Sequence, residues 1–360
     1  MNNTQNSAKD GLHKSKLTDG EEENGRIKKK RFLYIDSLKG LCIILVVVYH
    51  CRLTVINDNI NQMLLHIRVP MFFFLSGLFF KRYSGFNGFI LKKFNQLIVP
   101  FFFFSYIPFC LLTYFYSDRY ADPMFYLLAA VKPWNTPLWF LRALFFAYIF
   151  YYFIDKYTEN MPKWLTASII LVLVSFAWIL DINFNKLERN NPSFSDWSFI
   201  IIDLITAVKT MLYFFLAQQV NKRGWLDFKF NWVSTLLLSS VALIIAYFCR
   251  QAKIYSYSSD YFQHIILSYG CSFFSFAGLG ILFAKFKYTK LLEYFGKNSL
   301  IVLGCHGVFI KILKVNFMMP SYMHFIITFI LMFPCIYIFK KYFPYFTAQK
   351  ELIKFKHKDS

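Results

Sequence analysis

The segment 31–50 places three ionisable side chains within an apolar stretch. Residues 41–48 are apolar throughout, and Asp36, Lys39 and His50 flank them. Lys39 and His50 are eleven residues apart, within about 20° of three full helical turns, so a helix would point both side chains the same way. Asp36 lies about 40° from that line, and the three groups extend over ~21 Å. One helix face would therefore carry an acid, a base and an imidazole.

Such a face is suited to proton transfer, because a histidine has an unperturbed pKa of ~6.5, near the working pH of most cells. General-base catalysis by a positioned side chain typically contributes about 10²- to 10⁴-fold in rate. The alternative is that Asp36 and Lys39 are interfacial charges at one end of a membrane span. In that interpretation His50 marks the opposite interface, and no chemistry is implied.

Further polar and ionisable side chains interrupt or border later apolar segments. They are Arg68, Lys92, Lys93, Trp139, Arg142, Asn298 and His306. An ionisable group inside a span costs at least about 2.5–3.5 kcal/mol on insertion scales, so each needs an explanation. Arg142, one turn inside its segment, requires an anionic partner or a polar cavity.

Structural roles could explain most of these residues equally well. Arg68 could extend to the lipid headgroups, and the pair 92–93 could be a basic anchor. Trp139 could belong to an interfacial aromatic belt, and His306 could be a buried, hydrogen-bonded histidine. These alternatives stay open on spacing alone.

The elements that must position these residues are membrane helices. The chain is 57% hydrophobic and only 17% charged, whereas soluble domains have about 25% charged residues. Apolar runs of roughly 18 residues span a ~30 Å hydrocarbon core, and the lack of backbone partners in lipid requires them to be helical. The sequence predicts an all-α integral membrane protein, a single bundle of about ten transmembrane helices at 33–53, 67–80, 97–116, 138–155, 165–181, 198–220, 232–249, 262–284, 299–315 and 324–345.

The formal net charge is +20, and the positions of the basic residues that produce it indicate the membrane topology. Lys and Arg collect in both tails and in alternate loops, so the positive-inside rule predicts that both termini are cytoplasmic. We predict a disordered basic tail at 1–31, a membrane domain at 32–346 and a second basic tail at 347–360. Phosphate-loop, zinc-finger and RNA-binding patterns are missing from the sequence, which argues against a nucleic-acid partner.

Several segments, taken in order, resemble the membrane acyltransferase-3 family of bacterial O-acyltransferases, in its sugar O-acetylase branch. The family's first span carries a basic residue, ten intervening residues and a histidine, as Lys39 and His50 do. The other similar segments are 70–77, 91–100, 137–141 and 298–306. Two differences are present: Gln96 stands where many members have a second arginine, and no glutamate follows the tryptophan of 137–141.

The resemblance implies transfer of an acetyl group from acetyl-CoA to a sugar hydroxyl of a surface polysaccharide or glycolipid, in the cell inner membrane. His50, Lys39 and Arg68 would be catalytic, with His50 the general base or, alternatively, the site of an acyl-enzyme. Substrate binding would fall to Asp36, Lys92, Lys93, Trp139, Arg142, Asn298 and His306. The expected partners are membrane lipids, acyl-CoA as a donor substrate and a glycan acceptor, with no permanently bound cofactor and no metal.

A transporter, flippase or assembly partner for a lipid-linked glycan is the rival function. Intramembrane charges and an aromatic-rich interior suit such a protein as well. A transporter is expected to show repeat symmetry and broken helices, and neither is evident in the sequence. Neither rival predicts that Lys39 and His50 share a face.

Overall fold

The computed structural model describes residues 32–53, 58–83, 85–106, 137–190, 195–227, 230–256, 261–286 and 289–354. The regular elements within these ranges are all helical. They are α1 (Leu33–Cys51), α2 (Asp58–Leu78), α3 (Phe86–Lys93), α4 (Trp139–Tyr157), α5 (Lys163–Asn190), α6 (Ser195–Lys209), α7 (Met211–Lys222), α8 (Trp232–Ser256), α9 (Tyr261–Lys285), α10 (Lys290–Lys297), α11 (Ser299–Asn316) and α12 (Ser321–Tyr342). Helix α3 continues through a π-helical segment, Phe94–Ile98, into helical residues 99–106.

Seven segments of the described chain are long and apolar enough to cross a membrane: Leu33–Cys51, Lys163–Phe184, Ser198–Lys222, Trp232–Ala252, Ile265–Lys285, Ser299–Asn316 and Ser321–Tyr342. The protein is therefore an all-α, multi-pass membrane protein. A shorter apolar helix, Met63–Leu78, lies within α2, which begins well before the predicted second span. The predicted span 97–116 is described only to residue 106, and tail 1–31 lies outside the described residues. The total of ten spans and their orientation stay predictions.

Helix α1 is the central element of the bundle. It contacts α2, α9, α10, α11 and α12, and half of its spanning residues are buried, against 22% for α5, α8 and α12. The helices at the periphery present their apolar side chains outward, where lipid is the solvent. The first span therefore places its charged face inside protein rather than against lipid.

Helix α10 occupies a region that the sequence assigned to a loop. It packs against α1 with backbones in direct contact: a methyl group at Gly40 would overlap the carbonyl oxygen of Leu292, and one at Gly296 would overlap that of Asp36. Only glycine allows helices to approach this closely. The loop prediction was wrong here because the apolar side of an eight-residue helix is too short to register as a span.

The chain after α12 folds back onto the π-helical segment. Asn95, which is 3% exposed, donates from Nδ2 to the Ile353 carbonyl (2.8 Å) and accepts from the Ile353 amide at Oδ1 (3.1 Å). Phe346 stacks on Phe103 with ring centroids 4.6 Å apart. The predicted tail 347–360 therefore begins as a packed segment, and residues 355–360 lie outside the described chain. π-helical turns often occur at functional sites.

Candidate active site

One stripe of α1 lines a cavity of about 540 Å³. Its members are Asp36, Lys39, Ile43, Val46 and His50. Their spacing of three, four, three and four residues follows one helix face over ~21 Å. The structure thus brings together the three ionisable groups that the sequence placed on one face.

The facing walls come from α2, the π-helical segment, α4 and the α10–α11 junction. Among the residues predicted for the site, Arg68 and Trp139 line this cavity. Most of the other lining side chains are aromatic or aliphatic. Charged groups therefore face a confined volume, in which their electrostatic effect is larger than in water.

His50 meets a second histidine at its end of the cavity. The His50 and His306 ring centroids are 5.3 Å apart. His306 is fully buried, and its Nδ1 lies 2.7 Å from the Val302 carbonyl oxygen. A carbonyl can only accept, so neutral His306 carries its proton on Nδ1 and leaves Nε2 as an acceptor. That Nε2 has no hydrogen-bond partner among the described residues, and His306 lies behind His50 without itself lining the cavity.

The backbone of His50 is fixed from α11. Lys314 donates from Nζ to the His50 carbonyl oxygen at 2.9 Å, and Arg52 ends α1 in a left-handed conformation with φ 53°. The ammonium group satisfies one of the carbonyls that a helix end leaves without a partner. His50 is thereby held between a capped helix terminus and the His306 ring.

Arg68 is 3% exposed and is positioned by neutral groups. Its Nε donates to the Leu64 carbonyl (3.2 Å) and its Nη2 to the Asn61 carbonyl (2.9 Å). Its guanidinium carbon lies 4.3 Å from the centroid of the Tyr49 ring. Such contacts orient the group without cancelling its charge. The interpretation that Arg68 extends to the headgroups does not fit this burial.

The opposite end of the cavity is more basic than the sequence indicated. Lys297 and Ser299, from the junction of α10 and α11, line it together with Lys39. Between them, Asn298 donates from Nδ2 to the Tyr294 carbonyl at 2.7 Å. Asn298 therefore shapes the junction that presents its neighbours and does not itself line the cavity.

Arg142 lies outside the cavity and has the anionic partner that the sequence required. Its Nε is 2.7 Å from Oδ2 of Asp203 in α6, and its guanidinium lies between the rings of Phe101 and Phe199, at 5.1 and 4.8 Å from their centroids. This arrangement gives Arg142 a structural role as a link between α4 and α6. Substrate binding by Arg142 stays a prediction.

The lysines before the π-helical segment also lie outside the cavity. Lys92 Nζ lies 4.0 Å from the centroid of the Tyr83 ring. Lys93 is buried, with Nζ 3.6 Å from the centroid of the Tyr148 ring and 3.3 Å from Oε1 of Gln96. Burial lowers the pKa of Lys93 to about 8. Because Gln96 lines the cavity, Lys93 contacts the site indirectly, through the Gln96 side chain.

Sequence reasoning missed five polar lining residues: Tyr49, Ser76, Gln96, Lys297 and Ser299. Tyr49 adjoins His50, and the others lie inside or next to the segments singled out for their pattern. A search for every polar residue in those segments would have found them. In the described part of the chain, no cluster of three His, Cys, Asp or Glu side chains could hold a metal ion.

Comparison with known proteins identifies the family. A family model described as an acyltransferase domain, Acyl_transf_3, matches residues 32–341. Searches of curated proteins and of solved structures give no match. The matched region holds all of the cavity's lining residues and every candidate site residue. The predicted membership of the family is confirmed, and the chain belongs to the acyltransferase-3 family of membrane acyltransferases.

Proposed function

We propose that this acyltransferase moves an acetyl group from acetyl-CoA to a sugar hydroxyl of a surface polysaccharide or glycolipid, with His50 as the general base. The observation that carries the proposal is the polarity of the cavity along α1. His50 stands at one end, with the buried His306 ring behind it, and Lys39 and Lys297 line the other end. An anionic donor and a neutral acceptor could enter from opposite ends and meet between them.

In this reaction His50 takes the proton from the sugar hydroxyl as its oxygen attacks the thioester carbonyl. The tetrahedral intermediate then collapses, the carbon–sulfur bond breaks, and the proton held by His50 neutralises the departing thiolate. One ester forms for each thioester consumed. The His306 ring lies beside the His50 ring, and its Nε2 is an acceptor without a partner among the described residues. This supports a role for His306 in orienting His50, in which an N–H group of His50 would donate to that Nε2.

Arg68 suits the stabilisation of the negative charge that develops on the carbonyl oxygen. It is fixed before the reaction by two backbone acceptors, so little reorganisation is required when the charge appears. Asp36, Lys39 and Lys297 lie at the end predicted to face the cytoplasm, and the lysines would attract the donor's phosphates. Lys92 and Lys93 would add to the same field, and Trp139 offers an aromatic surface to the acceptor.

The test is mass spectrometry of ester-linked acetyl groups on the surface glycan of cells that carry wild-type protein, a deletion or His50→Ala. We expect the acetyl increment to vanish in both mutants while His50→Ala protein remains in the membrane. His324→Asn is the matched control, because His324 is also buried but does not line the cavity. Wild-type acetylation by His50→Ala would remove His50 from the catalytic role, and an unacetylated glycan whose surface amount falls on deletion would favour transport.

A further inference from the structure

A second cavity, of about 710 Å³, lies on the other side of α1 and α2 from the candidate active site. We call it the back crevice. Its interior is apolar and includes Leu38, Phe74, Phe215, Phe276 and Gly280, from α1, α2, α7 and α9. The volume is in the range of ligand-binding cavities. Apart from the rim, Tyr34 and Gln219 are the polar side chains in its lining, so a sugar or a coenzyme would gain few polar partners there.

Helices α1 and α2 form the wall between the two cavities, because adjacent residues on each helix point to opposite sides. On α1, Ile35 and Leu38 line the back crevice, while Asp36 and Lys39 line the active-site cavity. On α2 the corresponding neighbours are Leu75 and Ser76. Whatever fills the back crevice therefore packs against the reverse side of the elements that carry His50 and Arg68.

The rim of the back crevice is basic and aromatic. Lys163 and Trp164 begin α5, and Arg223 and Trp225 follow α7. The two tryptophans are 70% and 52% exposed, as expected for side chains at a membrane interface. The Arg223 guanidinium carbon lies 5.1 Å from the centroid of the Trp225 ring.

Two carboxylates lie near this rim, and neither lines the crevice. Glu159 forms an ion pair with Arg82, in which Nη2 of Arg82 donates a hydrogen bond to Oε1 of Glu159. Asp227 acts on the Tyr34 hydroxyl, which donates to the Leu226 carbonyl at 3.0 Å. Lys163 also acts electrostatically on Glu159, but the charged side chains that line the opening itself are the cations Lys163 and Arg223.

We propose that the back crevice binds an anionic glycerophospholipid, with an acyl chain in the apolar interior and the phosphate between Lys163 and Arg223. Both cations belong to loops predicted to be cytoplasmic, where anionic lipids attract basic residues and where basic sites between helices bind lipid headgroups. A neutral lipid would satisfy the apolar interior but not the rim. The bound lipid fills the space behind the α1–α2 wall and so supports the active-site helices without touching substrate.

The experiment is native mass spectrometry of the full chain released from bilayers of phosphatidylcholine with a minor fraction of phosphatidylglycerol, without acyl donor or acceptor. Wild-type protein is expected to retain phosphatidylglycerol selectively. Lys163→Gln with Arg223→Gln is expected to weaken retention roughly ten-fold or more, since each cation near the surface contributes about 1 kcal/mol. Lys340→Gln with Lys341→Gln, which removes two exposed cations from the end of α12, is the matched control and should retain lipid normally.

A second variant tests the apolar interior. A Cβ atom added at Gly280 would meet no atom within 4 Å, and Gly280 lines the crevice, so Gly280→Leu should extend into the crevice and favour the helix while displacing the lipid. Gly280→Ala should displace it less. Equal retention of phosphatidylglycerol by wild type, the rim variant and Gly280→Leu would overturn the proposal, as would equal retention of phosphatidylcholine by wild type. Lipid retention is measured without acyl transfer, so a failure of this proposal can be distinguished from a failure of the proposed reaction.

Discussion

Two buried arginines of this protein occupy contrasting surroundings. Arg142 is 9% exposed and faces Asp203 across 2.7 Å, whereas Arg68 is 3% exposed and donates to two backbone carbonyls. The first charge is neutralised inside the bundle, whereas the second has no carboxylate partner among the described residues and lies beside a cavity. A buried cation with a carboxylate partner joins helices, while one without such a partner can act on an anion that arrives or develops nearby.

The substitution Arg68→Ala tests the catalytic role that this comparison assigns to Arg68. We expect acetyl transfer to fall roughly 10²- to 10³-fold, the typical loss when one donor to a developing oxyanion is removed. Arg68→Lys should recover part of the rate, because it restores the charge without the two-point attachment. Initial rates in proteoliposomes, normalised to folded protein, measure both variants, and an unchanged rate for Arg68→Ala would exclude the oxyanion role.

Arg142→Ala should lower stability rather than chemistry. Removal of one partner of a buried ion pair leaves an uncompensated charge and costs about 3–5 kcal/mol. The double variant Arg142→Met with Asp203→Leu should regain most of the loss, because no charge remains buried. Thermal unfolding in detergent, followed by size-exclusion chromatography, checks this. A stable Arg142→Ala protein without activity would instead place Arg142 in substrate binding.

Gly296→Ala should disturb the site indirectly, by displacing helix α10. The added methyl group would collide with the Asp36 carbonyl, and overpacking of this kind costs about 1–3 kcal/mol. Displacement of α10 would also move Lys297, so we expect the KM for acetyl-CoA to rise together with a lower melting temperature. Gly224→Ala is unsuitable as a control because Gly224 has φ 70°, whereas Gly280→Ala lies in open helix and should neither raise the KM nor lower the melting temperature, since alanine favours a helix.

The smallest expected effect is a pH dependence at Lys93. Burial holds the pKa of Lys93 at about 8, so the side chain is cationic below that pH and loses its charge as the pH rises through it. If this charge attracts the donor, the KM for acetyl-CoA should increase a few-fold between about pH 7 and 9. Lys93→Arg, which stays charged, should flatten that profile, and an identical profile in both proteins would contradict the role.

The sequence predicted the elements of the site better than their assembly. The spacing of Lys39 and His50 fixed their common face, because a helix repeats every 3.6 residues whatever surrounds it. The apolar runs established the membrane class for a similarly local reason. The ordered segments also led to the correct family, and that family brought Arg68 and Trp139 into the predicted site.

Contacts between distant parts of the chain were beyond such reasoning. Nothing in the vicinity of Arg142 indicated that Asp203 would neutralise it, or that Lys93 would act through Gln96 rather than line the cavity. The break at Thr210, which separates α6 from α7 within one apolar segment, was not evident from hydropathy either. Polar groups reveal that a partner is needed but not which one.

By itself the sequence determined the membrane character, the polar face of α1 and the family, since each depends on spacing and composition along the chain. Only the tertiary structure decided that α10 lies against α1 through Gly40 and Gly296, that His306 meets His50, and that the C-terminal segment binds Asn95. Those choices depend on which helix faces fit together, and a fit between surfaces hundreds of residues apart is a property of packing rather than of local pattern.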